Sequence, residues 1–201
     1  MTLRKPAETS QPVHDLIRER WSPRAFADKP VPRDVLVSLF EAARWAASCN
    51  NSQPWRFIVA ARDNPAEYEK LLHCLNDRNQ SWAVQAPVIM VACADRNLPN
   101  GNPSRHGWYD TGAAVAQLSL QALSHGLYVH QMQGILPDKV RETYKVPDDF
   151  DVCTGIALGY AGEAETLPGD YAKREVLPRE RKPLHEFVFT GAFGTSSALV
   201  G

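Results

Sequence analysis

One domain that mixes helices with strands is the fold class this sequence predicts, and three observations carry it. Apolar residues recur at the helical period in Val35, Leu36, Leu39, Phe40 and Ala43. A continuous apolar run with β-branched members, residues 87–94, has the composition of a central strand covered on both faces. The chain of 201 residues, 44% of them hydrophobic, can bury one core and shows neither an internal repeat nor a dividing linker. Residues 1–201 are therefore expected to form a single domain, with 1–13 as a flexible leader.

The elements follow in order. Residues 14–20 read as a short helix, and a stronger one opens after Val31-Pro32 and runs out near Ser48. Pro54 forces Gln53 out of the helical region, so Ser48-Cys49-Asn50-Asn51-Ser52-Gln53 is a polar loop before a short strand at 57–60. Asn64-Pro65-Ala66-Glu67 resembles a capping box with proline at the first helical position, opening a helix to about Leu75. After the 87–94 strand, residues 95–108 are rich in Asn, Pro and Gly and read as a long binding loop or lid. Asp110 is expected to cap an Ala-rich helix ending at Gly126, with Gly112, Ala113, Ala114 and Ala116 allowing close approach of another helix. A strand at 127–130, a helix at 137–145 and a strand at 153–158 complete the body.

Beyond Gly162 the composition turns polar, yet Phe187-Val188-Phe189 is a strongly strand-forming patch. Alone it would be an exposed edge. The economical remedy is that residues 163–201 form an arm packed on a partner subunit, making the protein an obligate dimer.

Formal net charge is -1, which gives no general field toward nucleic acid or an anionic membrane, so any phosphate site must be local. The four cysteines, Cys49, Cys74, Cys93 and Cys153, show no paired ligand spacing and suggest reduced thiols in a cytoplasmic protein. A metal enzyme is disfavoured: His73 and Cys74 are neighbours on an expected helix with no second pair at ligand spacing, and His73 and His125 read as structural or solvent-exposed. No segment has the apolar core of a signal peptide or the length of a bilayer span.

Three clusters carry candidate chemistry. Arg20, Ser22 and Arg24 alternate, so in extended backbone their side chains project together and suit a phosphate or a polar ring edge. The Ser48 to Gln53 loop offers short donors and acceptors that could face a flat heterocycle, although such residues also satisfy their own backbone at helix ends. Arg179 and Arg181 repeat the basic alternation far downstream. Each is weak alone; their joint order is not.

Taken together, Arg20-Trp21-Ser22-Pro23-Arg24-Ala25-Phe26, Ser48 to Phe57, Ala86-Pro87-Val88-Ile89, Tyr109-Asp110-Thr111-Gly112-Ala113-Ala114, Ile156-Ala157-Leu158-Gly159-Tyr160 and Arg179-Glu180-Arg181-Lys182-Pro183-Leu184 resemble the nitroreductase family of FMN-dependent NAD(P)H oxidoreductases. The resemblance spans residues 15–188. It implies an α+β fold with a central, mainly antiparallel sheet flanked by helices, and a homodimer with exchanged C-terminal arms holding an FMN at each of two interface sites. Carried over, Arg20, Trp21, Ser22 and Arg24 form the first FMN-binding motif, with Arg20, Arg179 and Arg181 suited to the phosphate. Ser48, Cys49 and Asn51 match the loop that the partner subunit contributes, with Gln53 one step further out. Asn79 matches an asparagine bonding the pyrimidine edge. Gln131, Met132, Gln133 and Gly134 match the segment crossing the flavin face, where a backbone N–H of Gln133 or Gly134 donates to N5. No side chain is assigned as catalytic, because the redox chemistry belongs to the flavin.

The chain departs from the pattern in two places. Trp82 stands where some relatives carry a lysine, and Trp21 replaces a polar residue. Without that lysine Arg24 is left to stabilise the reduced ring, and Trp82 reads as core. His106, Trp108 and Tyr109 are candidate substrate contacts, since aromatics stack on flat acceptors, while His106 is either a proton donor or a solvated loop histidine. The implied reaction takes electrons from NADH or NADPH to a small acceptor such as a nitroaromatic or quinone with ping-pong kinetics. A flavin-binding, storage or regulatory protein, or a specific reductive dehalogenase or dehydrogenase, remains compatible, because a family fixes its cofactor more firmly than its reaction.

Overall fold

The computed structural model describes residues 3–200. Four strands form one antiparallel sheet: β1 (Trp55–Ala61), β2 (Val88–Asp95), β3 (Leu127–Met132) and β4 (Phe150–Tyr160), in the order β1-β2-β4-β3. The helices are α1 (Asp15–Glu19), α2 (Arg33–Arg44), α3 (Pro65–Leu72), α4 (Asp77–Ala83), α5 (Gly107–Ser124), α6 (Pro137–Tyr144) and α7 (Tyr171–Glu175). The fold is α+β, as the sequence predicted.

β2 shows why the sheet sits where it does. Ile89, Val91 and Cys93 point into one core with Leu71, Leu75, Trp82 and Val140, while Val88, Met90 and Ala92 point into the other with Leu39, Leu118 and Leu158. The period of two thus divides one apolar run between two layers of helices. Trp82 is buried at 1% exposure, as expected of a core residue. The register shifts between Ala92 and Cys93, where Cys153 is the extra residue of a bulge.

Several boundaries differ from expectation. β1, β3 and β4 are longer than expected, because flanking residues such as Arg56, Gln131 and Asp151 still join the ladder, while β2 keeps the expected length. α5 begins at Gly107, where a Cβ would run into the Asp95 carbonyl; Asp110 therefore lies inside the helix, 3% exposed, rather than capping it. Asn64 does cap α3, its side chain accepting from the Glu67 N–H at 3.4 Å. Helices α4 and α7 were not anticipated, since both are polar and short; Asn76 starts α4 by accepting from the Asn79 N–H at 2.9 Å. The expected strand at 187–189 is absent: Leu184–Glu186 is a 3₁₀ turn, Phe189 makes only an isolated bridge to Ser196, and Phe187 is 56% exposed. Residues 3–13 of the leader join no helix or strand, yet the Ala7 N–H donates to the Arg18 carbonyl at 2.7 Å and Lys5 Nζ to the Glu175 carbonyl at 2.7 Å, which ties it to the body.

Two predictions follow from packing. At Gly159 on β4 a Cβ would lie 2.5 Å from Pro87 Cδ and 3.0 Å from Phe26 Cδ1, so Gly159→Ala should cost about 1–3 kcal/mol in urea denaturation. His130 on β3 stacks on Trp82 at 4.5 Å and its Nδ1 lies 2.9 Å from the Pro23 carbonyl oxygen. Burial pushes its pKa down to about 4, with the Pro23 carbonyl opposing and the Arg24 charge assisting. The unfolded chain then binds a proton that the folded chain refuses, so this contribution is present above the ordinary histidine pKa and is lost as pH falls toward 4. The full shift corresponds to about 3 kcal/mol, reduced to about 2 kcal/mol because the ring still partly faces solvent. His130→Gln should flatten the pH dependence of unfolding by that amount over the window from about 6.5 to about 4; an unchanged slope would refute the assignment.

Candidate functional site

The segment before α2 is extended, and its alternation places Trp21, Pro23 and Ala25 inward and Arg20, Ser22 and Arg24 outward. Arg20 Nη1 lies 3.4 Å from Ser22 Oγ. The segment is held by Glu175 at the end of α7, a residue that sequence reasoning missed. Its Oε1 accepts from the N–H groups of Arg24 at 2.6 Å and Ala25 at 3.0 Å, and its Oε2 stands 3.8 Å from Arg24 Nη1. At 2% exposure this carboxylate is a buried anion within a cluster of cations.

Arg179 closes that cluster by donating to the carbonyls of Lys5 at 2.7 Å and Arg18 at 2.9 Å. Burial and then the charges of Arg179 and Arg181 depress the Arg20 pKa, and burial and then Arg181 depress that of Arg179. Lys5 is lowered as well, chiefly by burial, with Glu175 opposing and Arg179 and Arg24 assisting. The two basic motifs, separated by more than 150 positions in sequence, thus share one field. Cations that depress one another are poised for an anion, and guanidiniums suit a phosphate.

Arg24 joins this corner to a cleft of about 510 Å³, which it lines with Asn76, Arg78, Asn79, Trp82, His130, Gln131, Met132, Gln133, Gly134, Ile135 and Tyr171. That volume lies in the usual range of small-molecule sites, roughly 300–1,000 Å³. At the end of β3, Gln131 and, just past it, Gln133 face outward while Met132 turns into the core. The N–H groups of Gln133 and Gly134 have no acceptor among the described residues. Gly134 is tightly enclosed: a Cβ there would be 2.6 Å from Asn76 Nδ2 and closer still to Asn79 Nδ2. The backbone of this turn is therefore pressed against two amides, and the Asn76 N–H donates to the Gly134 carbonyl at 2.9 Å. Free backbone donors, amide side chains and the ring of His130 backed by Trp82 fit a polar heterocycle carrying a phosphate.

Trp21 does not present its ring to this site. It is 5% exposed, edge-on to Tyr128 at 5.9 Å, with Lys5 Nζ 5.0 Å from its ring centre. Its place in the first motif is that of an anchor, because the alternation that exposes its neighbours must bury it.

The remaining candidates gather elsewhere. Ser48, Cys49, Asn51 and Gln53 form a tight turn ahead of β1, at the opposite sheet edge from β3, and line no part of the cleft. The turn is conformationally demanding, with positive φ at Asn50, Asn51 and Gln53. It is held by the Cys49 N–H donating to Asp110 Oδ2 at 2.9 Å and the Gln53 N–H donating to Ser48 Oγ at 3.1 Å. His106, Trp108 and Tyr109 stand at the start of the same α5 helix. Trp108 donates through Nε1 to Asp151 at 2.7 Å, and Tyr109, 76% exposed, meets the His106 ring edge-on at 6.0 Å. The candidate residues thus fall into two groups, one at each edge of the sheet. Burial raises the Cys93 thiol to about 11 and the Cys153 thiol to about 12, which keeps these two protonated.

Residues 17–160 match the nitroreductase family. A solved structure described as an oxidoreductase containing FMN is 36% identical, with a TM-score of 0.89 and coverage of 98% of this chain and 100% of that one. A nitroreductase family protein from Clostridium difficile 630 is 25% identical at a TM-score of 0.68, covering 89% of this chain and 97% of that one. An uncharacterised 15.4 kDa protein of Mycolicibacterium smegmatis is 34% identical over 145 residues, 69% of this chain and 97% of its own. An NADH dehydrogenase of Thermus thermophilus is 27% identical over 202 residues, 85% of this chain and 91% of its own. With α+β architecture, an antiparallel sheet and a match over most of its length, this chain belongs to the nitroreductase family and is an oxidoreductase of that fold.

Proposed function

We propose that the protein is an FMN-dependent oxidoreductase that draws electrons from NAD(P)H and passes them to a small acceptor such as a nitroaromatic or a quinone. The observation that carries this reading is the continuity, through Arg24, between a cluster of mutually depressed cations and a cleft lined by free amide and backbone donors. When bound, FMN would supply two-electron redox chemistry that the side chains lack.

The chain's own residues divide the remaining work. Arg20, Arg179 and Arg181 hold the phosphate, with Ser22 offering its hydroxyl beside Arg20. Asn79, Gln131 and the N–H groups of Gln133 and Gly134 orient the ring by hydrogen bonds, and the absence of a side chain at Gly134 lets the Asn76 and Asn79 amides pack against this turn. Trp82 stands where some relatives carry a lysine, and Arg24 supplies positive charge to the cleft in its place. His130, held neutral, adds none.

The second half-site serves the flavin of a second copy. In a homodimer that exchanges its C-terminal arms, Ser48, Cys49, Asn51 and Gln53 cover the flavin held by the other chain. His106, Trp108 and Tyr109 then border the space above it, where an aromatic acceptor would stack. The apolar residues left exposed on this chain, among them Phe187, Phe193 and Leu199 in the arm and Trp45 just after α2, support that association.

Fluorescence titration of the apoprotein with FMN, followed by anaerobic reduction with NADH and NADPH and an acceptor panel, tests the reading. A colourless protein that takes up no FMN sinks it. Arg20→Ala and Asn51→Ala should each weaken FMN binding by about tenfold or more. For Asn51→Ala the unfolding midpoint of the flavin-free protein should stay within error, and unchanged flavin affinity in that variant would count against the exchanged half-site.

A further inference from the structure

Beside the cleft, and sharing Arg78 and Tyr171 with it, opens a second cavity of about 330 Å³. Its lining includes Ser81 from α4, Gly169 and Asp170 from the loop before α7, and Arg174 from α7 itself. Two features set its chemistry. Arg78 and Arg174 both present guanidiniums here, both are exposed, and neither makes an ion pair or side-chain hydrogen bond among the described residues. The one carboxylate in the lining, Asp170, is paired with Lys173 at 3.4 Å, so it does not neutralise either arginine.

The helices that carry the two arginines are tied to one another. Tyr171 Oη donates to the Arg78 carbonyl at 2.9 Å, tying α7 to α4, and the Tyr171 ring lies 5.7 Å from the Arg24 guanidinium. Tyr171 is thus a partition, with the cleft's Arg24 against its ring and the second cavity beside it. Two unpaired guanidiniums on a pre-tied frame suit a dianionic phosphate better than a carboxylate, because each offers a planar fork of donors.

We propose that this cavity receives the 2′-phosphate of NADPH and gives the enzyme a preference for NADPH over NADH. The proposal rests on the FMN reading, in which the nicotinamide end of the donor enters the neighbouring cleft. The shared wall lets one extended dinucleotide reach both spaces, and the cavity is of a size for its phosphorylated ribose end rather than for a whole nucleotide. NADH lacks the group that the two arginines would pair with.

Isothermal titration of the purified full-length protein with 2′,5′-ADP, 5′-AMP and inorganic phosphate tests this without turnover. The expected result is that 2′,5′-ADP binds about tenfold or more tightly than 5′-AMP, and that the ratio collapses toward one in both Arg174→Ala and Arg78→Ala. Equal binding of the two nucleotides by the unsubstituted protein, survival of the ratio in both variants, or displacement of 2′,5′-ADP by equimolar inorganic phosphate would overturn it. Flavin absorbance recorded on the same samples separates the two readings. A colourless protein that discriminates keeps the phosphate site and removes the FMN assignment; a yellow protein that does not discriminate does the reverse.

Discussion

The buried carboxylate of Glu175 is the constraint on which the site depends. It is 2% exposed, so it must be compensated, and it is compensated by the backbone of the first basic motif: two N–H donors on Oε1 and the Arg24 guanidinium near Oε2. Its own carbonyl accepts from Lys5. One residue at the end of a short polar helix therefore fixes the extended segment carrying Arg20, Ser22 and Arg24, and brings in the leader that Arg179 also grips. Removing one partner of such a buried pair typically costs about 3–5 kcal/mol, because the other charge is left without compensation. Here the loss would also release several like charges from the arrangement in which they face one another.

Sheet order does the rest. β1 and β3 are the two edges of a four-stranded sheet, so the turn that precedes β1 and the turn that follows β3 are kept apart by two intervening strands. The amide-rich turn at Gln133-Gly134 and the strained turn at Asn50-Asn51 are both built to present backbone and short polar groups, yet one chain cannot bring them to one ligand. Asp110 adds a link between the second turn and α5. Because its carboxylate holds the Cys49 N–H from inside the helix, the turn and the aromatic residues at the start of α5 belong to one rigid unit.

Legibility in the sequence follows the range of the interaction. The burial of β2 and the period of α2 were visible because each is decided by residues a few positions apart, and the Asn64 cap was visible for the same reason. The alternation of Arg20, Ser22 and Arg24 was legible too, and it carried its own correction: the rule that exposes these three buries Trp21. What was hidden depended on distant partners. Glu175 sits in a polar stretch with no period and acquires meaning only across 150 positions of chain, when the Arg24 and Ala25 N–H groups meet it. Asp110 looked like a cap because acidic residues favour helix starts, but a bond to Cys49, 61 positions away, and the close passage of Gly107 over Asp95 moved the helix start upstream. The strand expected at 187–189 failed for the complementary reason: β propensity needs a neighbouring strand to pair with, and within this chain none reaches it.

That unpaired tail bears on how the two half-sites can meet. Phe193 at 97% exposure and Leu199 at 90% have no apolar neighbours of their own chain sufficient to cover them, and Val176, Leu177, Leu184 and Phe187 continue the same uncovered series. Scattered single apolar residues on a surface need no explanation, but six within one terminal segment, beside the arginines that close the cation cluster, do. A second copy of the chain would cover it most economically, since an isologous interface lets each arm fill the same gap on the other. Under the proposed exchange, burial of this apolar arm and completion of each flavin site become one event. The stability of the dimer and the affinity for flavin would then be linked by mass action rather than set separately.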